Sequence, residues 1–515
     1  MVIVFFILVA GCTRFEEPAD FIYVAGGEPD TFDPALTTSV GGGRLAAALF
    51  EGLTTYNPRD ISTPEPGVAK RWDVSQDRKT YTFFLRKTAW SNGAPVNAGD
   101  FVQSWERVLN PETGSRYASI MYCIRGAEAY NKGTITDFSR VGVKAVDPLT
   151  LRVRLREVTP FFLDLTSFAT FMPVNPECVR THGRLWIKPD NIVTNGPYTL
   201  ESWHFNYKFR LRKNPAYWNR ARVKTEILDI FSVEDTHTGF NIYETGGAHL
   251  ITSVPDSLLK SVNQRKDFHA CPAFGTYFYR FNCRVKPLDD VRVRRALALA
   301  IDRKRIAEKV KKGGEEPAFS FVPPGAGVYT SPEWCGFDPK KAARLLAEAG
   351  YPDGNNFPSF HLLYNTSKSH ENVAKSICSM WRKYLNIDIG LKNQEWKVFL
   401  DTTVSLDYEI SRGGWYGDYL HPFTFLDIMR SDDGNNRTGW KDAEYDALLK
   451  KAKTVTQKEQ RLALMKQAEE ILSREQPVIP IFFIMSQFMY RPNVTGVYKN
   501  SRGIVMLRDV AVENP

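Results

Sequence analysis

Residues 409–422 read EISRGGWYGDYLHP, and the rest of the chain is arranged around them. Gly413, Gly414 and Gly417 alternate with Trp415, Tyr416 and Tyr419 around one carboxylate, Asp418. Glycine lets a backbone approach something else, because no Cβ holds it off. Aromatic rings supply large, stiff apolar walls. An acid set among them is poised to hold a cation that has left water. The plainer reading, a tight strand end with an exposed acid, has equal weight on this segment alone, so the surrounding chain has to decide.

Around this stretch, apolar runs alternate between strand and helix periods. FYRFNC (278–283) reads as a strand and VRVRRALALAIDRKRIAEKV (291–310) as one helix. DPKKAARLLAEAGY (338–351) is a helix with clean i, i+4 apolar spacing. SFHLLYN (359–365) is a strand, HENVAKSICSMWRKYL (370–385) a helix and IDIGLKNQ (387–394) a strand. This alternation predicts a doubly wound α/β unit. Residues 441–473 add two helices, and PVIPIFFIMSQFMYR (477–491) closes with a very apolar strand.

The N-terminal half is different. FIYVAGG (21–27) predicts a short strand, and Val40-Gly41-Gly42-Gly43 leads into RLAAALFEGL, which has helical spacing. Between 54 and 165 the runs are short and alternating. YTFFLRK and TLRVRLR predict half-buried strands, with a helix over NAGDFVQSWERVL (97–109) between them. TNGPYTLESW (194–203) and FRLRKN (209–214) return to longer strands.

At 515 residues the chain is too long for one core. Its 43% hydrophobic and 24% charged residues are ordinary for a globular protein, and 13% aromatics suit a large internal binding surface. The net charge of +9 invites a nucleic-acid reading. The one dense basic stretch, 292–312, has the spacing of an amphipathic helix, which is usually a solvated face. A mild attraction to anionic headgroups suits that charge better than DNA.

MVIVFFILVAGC (1–12) is an apolar run too short to span a bilayer. It fits the h-region of a signal peptide, and its ending resembles a bacterial lipobox, with Cys12 taking the lipid. No Lys or Arg precedes the run, which leaves open a true start upstream of Met1. Cys123, Cys178, Cys271, Cys283, Cys335 and Cys378 contain no CxxC pair and are too scattered for zinc; the sequence does not fix their pairing. Familiar catalytic motifs are missing: there is no GxSxG, HExxH or Walker loop, and GAGVYT (325–330) fails as GxGxxG. No enzyme, cofactor or metal site is expected.

Six motifs occur in order: GGEPDTFDP with LFEGL; the run 72–109 from WDVSQ to WERVL; TNGPYTLESW with NPAYWN; DDVRVRRALALAIDR; LLYNTS; and NQEWKVFLD with RGGWYGDYLHP. Together they resemble the oligopeptide-binding proteins of bacterial ABC importers, the family 5 extracytoplasmic solute-binding proteins. The resemblance implies an α/β, two-lobed periplasmic binding protein fold with an additional small α+β domain. It divides the chain into a signal peptide (1–12), lobe I (13–53 with 176–275 and 486–515), an extra domain (54–175) and lobe II (276–485).

It also implies a lipid-anchored monomer in the periplasm or at the cell surface. Such a receptor closes over an extended peptide and delivers it to permease subunits with their ATPase. The peptide adds as a strand to protein backbone on both sides, which gives affinity without sequence preference. The matching backbone here is Val40 to Gly42 and Gly413 to Trp415, with Tyr416 and Gly417 adjoining. Asp418 matches the aspartate that meets the peptide α-ammonium. Trp396 and Trp415 match pocket walls, and Tyr117 lies where a tyrosine approaches the ligand. Arg412 and His370 match the basic groups that meet the peptide carboxylate. Two positions depart from the pattern. An arginine expected after Asp401-Thr402 is Thr403, and Gly417 replaces a cysteine, so a disulfide to Cys271 is lost. The alternatives are another solute on the same fold (a dipeptide, nickel chelate, haem or sugar) or a surface adhesin or holdase.

Overall fold

The structure, a computed structural model, describes residues 16–334, 336–455 and 457–513. Cys12 and Cys335 lie outside the described residues. Two long strands, Phe268–Phe281 and Val478–Tyr490, form the axis. They pair antiparallel, and their register slips between Pro272 and Thr276. Proline cannot donate to a ladder and marks such irregularities. On one side of the slip, the sheet continues through Leu250–Ile251, Phe21–Gly26, Ile227–Ser232 and Lys208–Lys213 to Tyr198–His204. On the other, it continues through Ile410–Tyr416 and Phe360–Asn365 to Ile389–Gln394. Among the described residues, the 268–281 and 478–490 pair is therefore the ladder that joins the two halves.

Each half packs helices on its strands. Tyr279, Phe281, Leu362 and Ile410 meet Val293, Leu297, Ile377 and Trp381 in one core. Trp381 is fully buried and donates its indole N–H to the Leu297 carbonyl at 2.8 Å. A separate four-stranded sheet, in the order Ala69–Val74, Thr80–Leu85, Thr150–Arg154, Val143–Asp147, lies within the 54–175 segment. The helix Ala98–Leu109 packs on it. Its start is a reciprocal cap, in which Asn97 accepts from the Gly99 and Asp100 N–H groups and Asp100 accepts from the Asn97 N–H.

Four expectations need correction. The 276–485 sheet is mixed rather than doubly wound: Phe360–Asn365 is parallel to both neighbours, but Phe268–Phe281 meets Ile410–Tyr416 antiparallel. That strand enters from the other half of the molecule rather than through a crossover helix. The single helix over 291–310 is broken. It stops at Leu299, and Asp302 caps a new turn by accepting from the Arg305 N–H, leading into a π-helix, Ile306–Lys311. The basic face is not fully solvated, because Arg294 is buried and donates to the Leu288, Asp289 and Glu475 carbonyls. Finally, Val40–Gly42 is not extended but forms the first turn of the helix Val40–Leu49.

That helix start is set by Asp30. Its carboxylate accepts from Thr37 Oγ1 (2.8 Å), the Thr38 N–H (2.6 Å) and Ser39 Oγ (2.7 Å), and Ser39 Oγ in turn accepts from the Gly42 N–H. A Cβ on Gly42 would collide with this cluster. Asp30→Ala leaves these donors without their acceptor. We expect a loss of roughly 1–3 kcal/mol in denaturant unfolding with an unchanged m value. A loss under about 0.5 kcal/mol, within ordinary surface scatter, would show that Asp30 does not organise the turn.

Candidate functional site

A cavity of about 840 Å³ lies between the two halves. One wall is the end of the Ile410–Tyr416 strand, the loop after it, and the helices that begin at Lys368 and Trp396. The facing wall includes residues 25–47 and 252–257. Val40, Gly41, Tyr117, His370, Trp396, Arg412, Gly414, Trp415, Tyr416, Gly417 and Asp418 line it. Gly42 and Gly413 stand behind the surface. A Cβ on Gly413 would sit 2.5 Å from Phe278 Cε2 and 2.7 Å from Arg280 Nη2, and one on Gly417 would collide with Phe274. These two glycines let the 268–281 strand pack on its neighbour, so the close approach they serve is internal.

The strand edge is nonetheless open. Ile410–Tyr416 is paired along its whole length with Phe268–Phe281, but with Phe360–Asn365 only at Ile410 and Ser411. From Arg412 onward the second edge has no ladder partner among the described strands, and it faces the cavity.

Asp418 follows this edge. Its loop is fixed through the main chain. The Asp418 N–H donates to Thr424 Oγ1 at 2.9 Å, Arg502 donates to its carbonyl, and Tyr419 stacks on Phe161 with ring centres 4.1 Å apart. Among the described residues its carboxylate has only two hydrogen-bond contacts, both long and neutral, Tyr117 Oη at 3.4 Å and Thr424 Oγ1 at 3.5 Å. The buried guanidinium of Arg502 is committed to Asp164 at 2.8 Å. Burial pushes the Asp418 carboxyl up to about 7; Arg502, Tyr117 and Thr424 pull it back down, and Asp433 adds to the rise. Asp418 keeps partial exposure, and because it lines the cavity that exposure opens toward the lumen. Tyr117, itself buried, stacks against Trp415 at 6.1 Å and holds its hydroxyl toward the acid.

Of the basic groups, Arg412 sits further back along the same strand and His370 in the first turn of the helix Lys368–Leu385. Arg412 lies 4.9 Å over the Tyr277 ring and donates to Asn365 Oδ1 at 3.3 Å, with no carboxylate in ion-pair range among the described residues. His370 Nδ1 is 3.3 Å from Tyr277 Oη. Burial, then Arg412 and Lys311, holds His370 well below its usual range, so it is neutral here. Trp396 opens the helix Trp396–Val404 and stacks on Phe399 at 5.9 Å.

Sequence reading missed several cavity residues. Lys311, at the end of the π-helix, bridges to Asp256 at 2.7 Å, and both residues line the cavity. Arg280 was hidden inside an apolar strand, where one charged residue in FGTYFYRFNC was the available signal. Arg437 and Arg502 lie in polar loops with no motif. Cys271 is free, as are Cys123, Cys178, Cys283 and Cys378. No helix of the described residues is long and apolar enough to cross a membrane.

Comparison with known proteins gives concordant results. Residues 63–437 match the family described as "Bacterial extracellular solute-binding proteins, family 5 Middle". The periplasmic oligopeptide-binding protein OppA of Escherichia coli K12 is 37% identical over 487 residues, covering 92% of this chain and 88% of that protein. The crystal structure of the periplasmic oligopeptide-binding protein OppAIV from Borrelia burgdorferi has a TM-score of 0.93 at 35% identity, over 96% of this chain and 100% of that one. The E. coli murein tripeptide binding protein MppA gives 0.92 at 32% identity, over 96% and 99%. The unliganded open form of MppA gives only 0.64 at 31% identity, over 96% and 98%. The conformation seen here therefore departs from that open arrangement.

In the ligand-free protein, the Asp418 carboxyl carbon should titrate by NMR with a midpoint near 7, and Tyr117→Phe should move that midpoint upward by removing a hydrogen bond to the ionised form. A midpoint near 4 in the parent protein would show that water reaches the group freely.

Proposed function

The chain belongs to family 5 of the bacterial extracellular solute-binding proteins, a receptor family, and from that premise we propose that it captures oligopeptides and delivers them to an ABC permease. One observation carries the reading: the Asp418 carboxylate faces the cavity, largely desolvated, with no ion pair among the described residues, and the nearest guanidinium, Arg502, is committed to Asp164 and to the Asp418 main chain. A peptide α-ammonium supplies that cation. The oligopeptide-binding names of the relatives agree with it. On this reading the protein binds and releases without chemistry of its own.

The peptide backbone would run along the open edge from Arg412 to Tyr416, where main-chain pairing is blind to side chains. Opposite it, Val40 and Gly41 would offer the free N–H groups of a helix start rather than a second strand. Arg412, with neutral His370 beside it, would meet the far carboxylate. Trp396 and Trp415 would wall the side-chain space.

We read 13–53 with 176–275 and 486–515 as one lobe, 276–485 as the second and 54–175 as an extra domain. The register slip between Pro272 and Thr276, opposite residues 483–485, is where a hinge would lie. Lys311–Asp256 is then an ion pair across the closed cleft.

The charge reading has a pH signature. Below about 7 the empty site holds a proton on Asp418, and an incoming ammonium must displace it. Affinity should therefore be greatest between about 7 and the α-ammonium's own pKa of about 8, fall as pH drops below 7 by up to about tenfold per unit, and fall again at higher pH as the free peptide loses its proton. His370 stays neutral throughout this window. Asp433, buried and pushed up to about 6, accepts from Ser119 and the Asn435 N–H and would broaden the transition. Calorimetry with free and N-acetylated peptides tests both points. Asp418→Ala should weaken free-amine peptides by roughly 30-fold or more, flatten the pH dependence and scarcely affect acetylated ones. Equal binding of both peptide forms to the parent protein would remove the ammonium site.

Cys12 would hold the protein to a membrane through lipid. Stable anchoring needs more than one chain, at about 0.8 kcal/mol per buried CH₂. Cys12→Ser should release the protein into the soluble fraction with peptide binding intact. Retention on membranes after a salt wash would exclude a lipid anchor at Cys12.

A further inference from the structure

Arg280 is an unusual residue to find in this wall. It lies on the Phe268–Phe281 strand with 8% of its surface exposed, and it lines the cavity. Its guanidinium makes no hydrogen bond or ion pair among the described residues, and its Nε is buried without a partner. It is held by a cation–π contact, 5.4 Å from the centre of the Phe278 ring, and lies over the bare backbone of Gly413. Strand alternation puts Phe278 and Arg280 on one face of the sheet, with Gly413 and Ser411 opposite them, while Tyr277 and Arg412 share the other face.

Arg437 lines the same cavity from the loop beyond. It donates to Thr403 Oγ1 at 3.3 Å and also has a buried Nε without a partner. No carboxylate lies within ion-pair range of either arginine among the described residues. Asp433, four residues before Arg437, accepts from Ser119 Oγ at 2.8 Å and from the Asn435 N–H. Burial, then the charges of Arg280 and Arg116, pulls Arg437 down to about 9. Uncompensated buried charge is costly and persists where something outside the fold completes it.

We propose that Arg280 and Arg437 form an anion-binding subsite in the cavity that takes the carboxylate of an acidic ligand side chain, so that the protein favours peptides containing glutamate or aspartate. The inference rests on the peptide reading above and adds a side-chain preference to it. Arg412 and His370 already provide for the terminal carboxylate from the other face, which leaves the Arg280–Arg437 pair for a second anion. Arginine's planar fork suits a carboxylate, and two such groups converging on one anion relieve their own repulsion. Thr403, at the position where relatives are expected to carry an arginine, instead holds Arg437 by its hydroxyl. The cationic character is thus supplied from positions 280 and 437.

The test is a positional scan by calorimetry at pH 7.5, using alanine peptides of three to six residues that carry glutamate or, in a matched peptide, glutamine at each position in turn. At one position glutamate should bind about 10- to 100-fold more tightly than glutamine. That ratio should fall toward one in Arg280→Gln and in Arg437→Gln, and in 0.5 M salt it should shrink less than a surface preference would, because the pair is buried. The parent ratio needs no variant, so a misfolded substitution does not block the test. Equal affinity of glutamate and glutamine peptides at every position overturns the subsite, as does a ratio that survives both substitutions. Binding of no peptide in the series overturns the peptide reading itself, and the subsite with it.

Discussion

A largely desolvated carboxylate that faces the cavity without an ion pair of its own is the constraint around which this structure is built. Raising the Asp418 carboxyl from its ordinary value to about 7 corresponds to an ionisation penalty on the order of 3–5 kcal/mol at high pH. The sign follows from linkage. A carboxyl raised in the folded state makes the empty protein less stable as pH rises from about 4 toward 7, and a bound cation offsets that loss. The fold tolerates the penalty because it grips the residue elsewhere. Arg502 neutralises Asp164 and holds the Asp418 carbonyl, while Thr424 takes its N–H. The main chain is over-determined, and the side chain is left short of a partner.

The same arrangement explains why the two halves share one sheet. Phe268–Phe281 contributes its early residues to one half and its late residues to the other, with an irregular register between Pro272 and Thr276. Its late residues pack so closely on Gly413 and Gly417 that side chains there are excluded. This sets the Ile410–Tyr416 strand at a fixed depth with one edge paired and one edge open. Lys311, delivered by the π-helix, reaches Asp256 on the facing wall. The pair thus bridges the two walls of the cavity in a conformation that departs from the open form of MppA.

Much of this was legible in the sequence wherever local periodicity and tertiary packing agree. The strands at 21–26, 80–85, 150–154 and 360–365 and the helices at 98–109, 339–348 and 368–385 follow their apolar spacing. Reading failed where a single polar side chain overrode the pattern. Asp302 breaks a helix whose apolar spacing runs on unbroken, and Ser39 starts one four residues earlier than its apolar face does. The glycines of 413–417 were recognised as close-approach sites, but their neighbours, Phe274, Phe278 and Arg280, come from a strand well over a hundred residues away. Spacing along the chain carries no information about which distant side chain fills the gap. The shared family pattern placed Asp418, Tyr117, Arg412 and His370 on the cavity wall for the same reason that local reading could not: it encodes contacts made across the fold.

Affinity without sequence preference and selectivity among ligands call for different physics, and the cavity wall separates them. Backbone along the open edge from Arg412 to Tyr416 offers hydrogen bonds that any extended chain can satisfy. Charge, by contrast, discriminates only where the protein has not already neutralised it. Lys311 and Arg502 are both paired with acids of this chain, so they contribute geometry and little selectivity. Asp418, Arg412, Arg280 and Arg437 have no opposite charge within ion-pair range among the described residues, so on the peptide reading proposed above what each meets would come from the ligand. A wall of satisfied charges would be indifferent to charge in the ligand. By leaving these four unmatched, the fold trades some stability in the empty state for the ability to read the electrostatic pattern of what it holds.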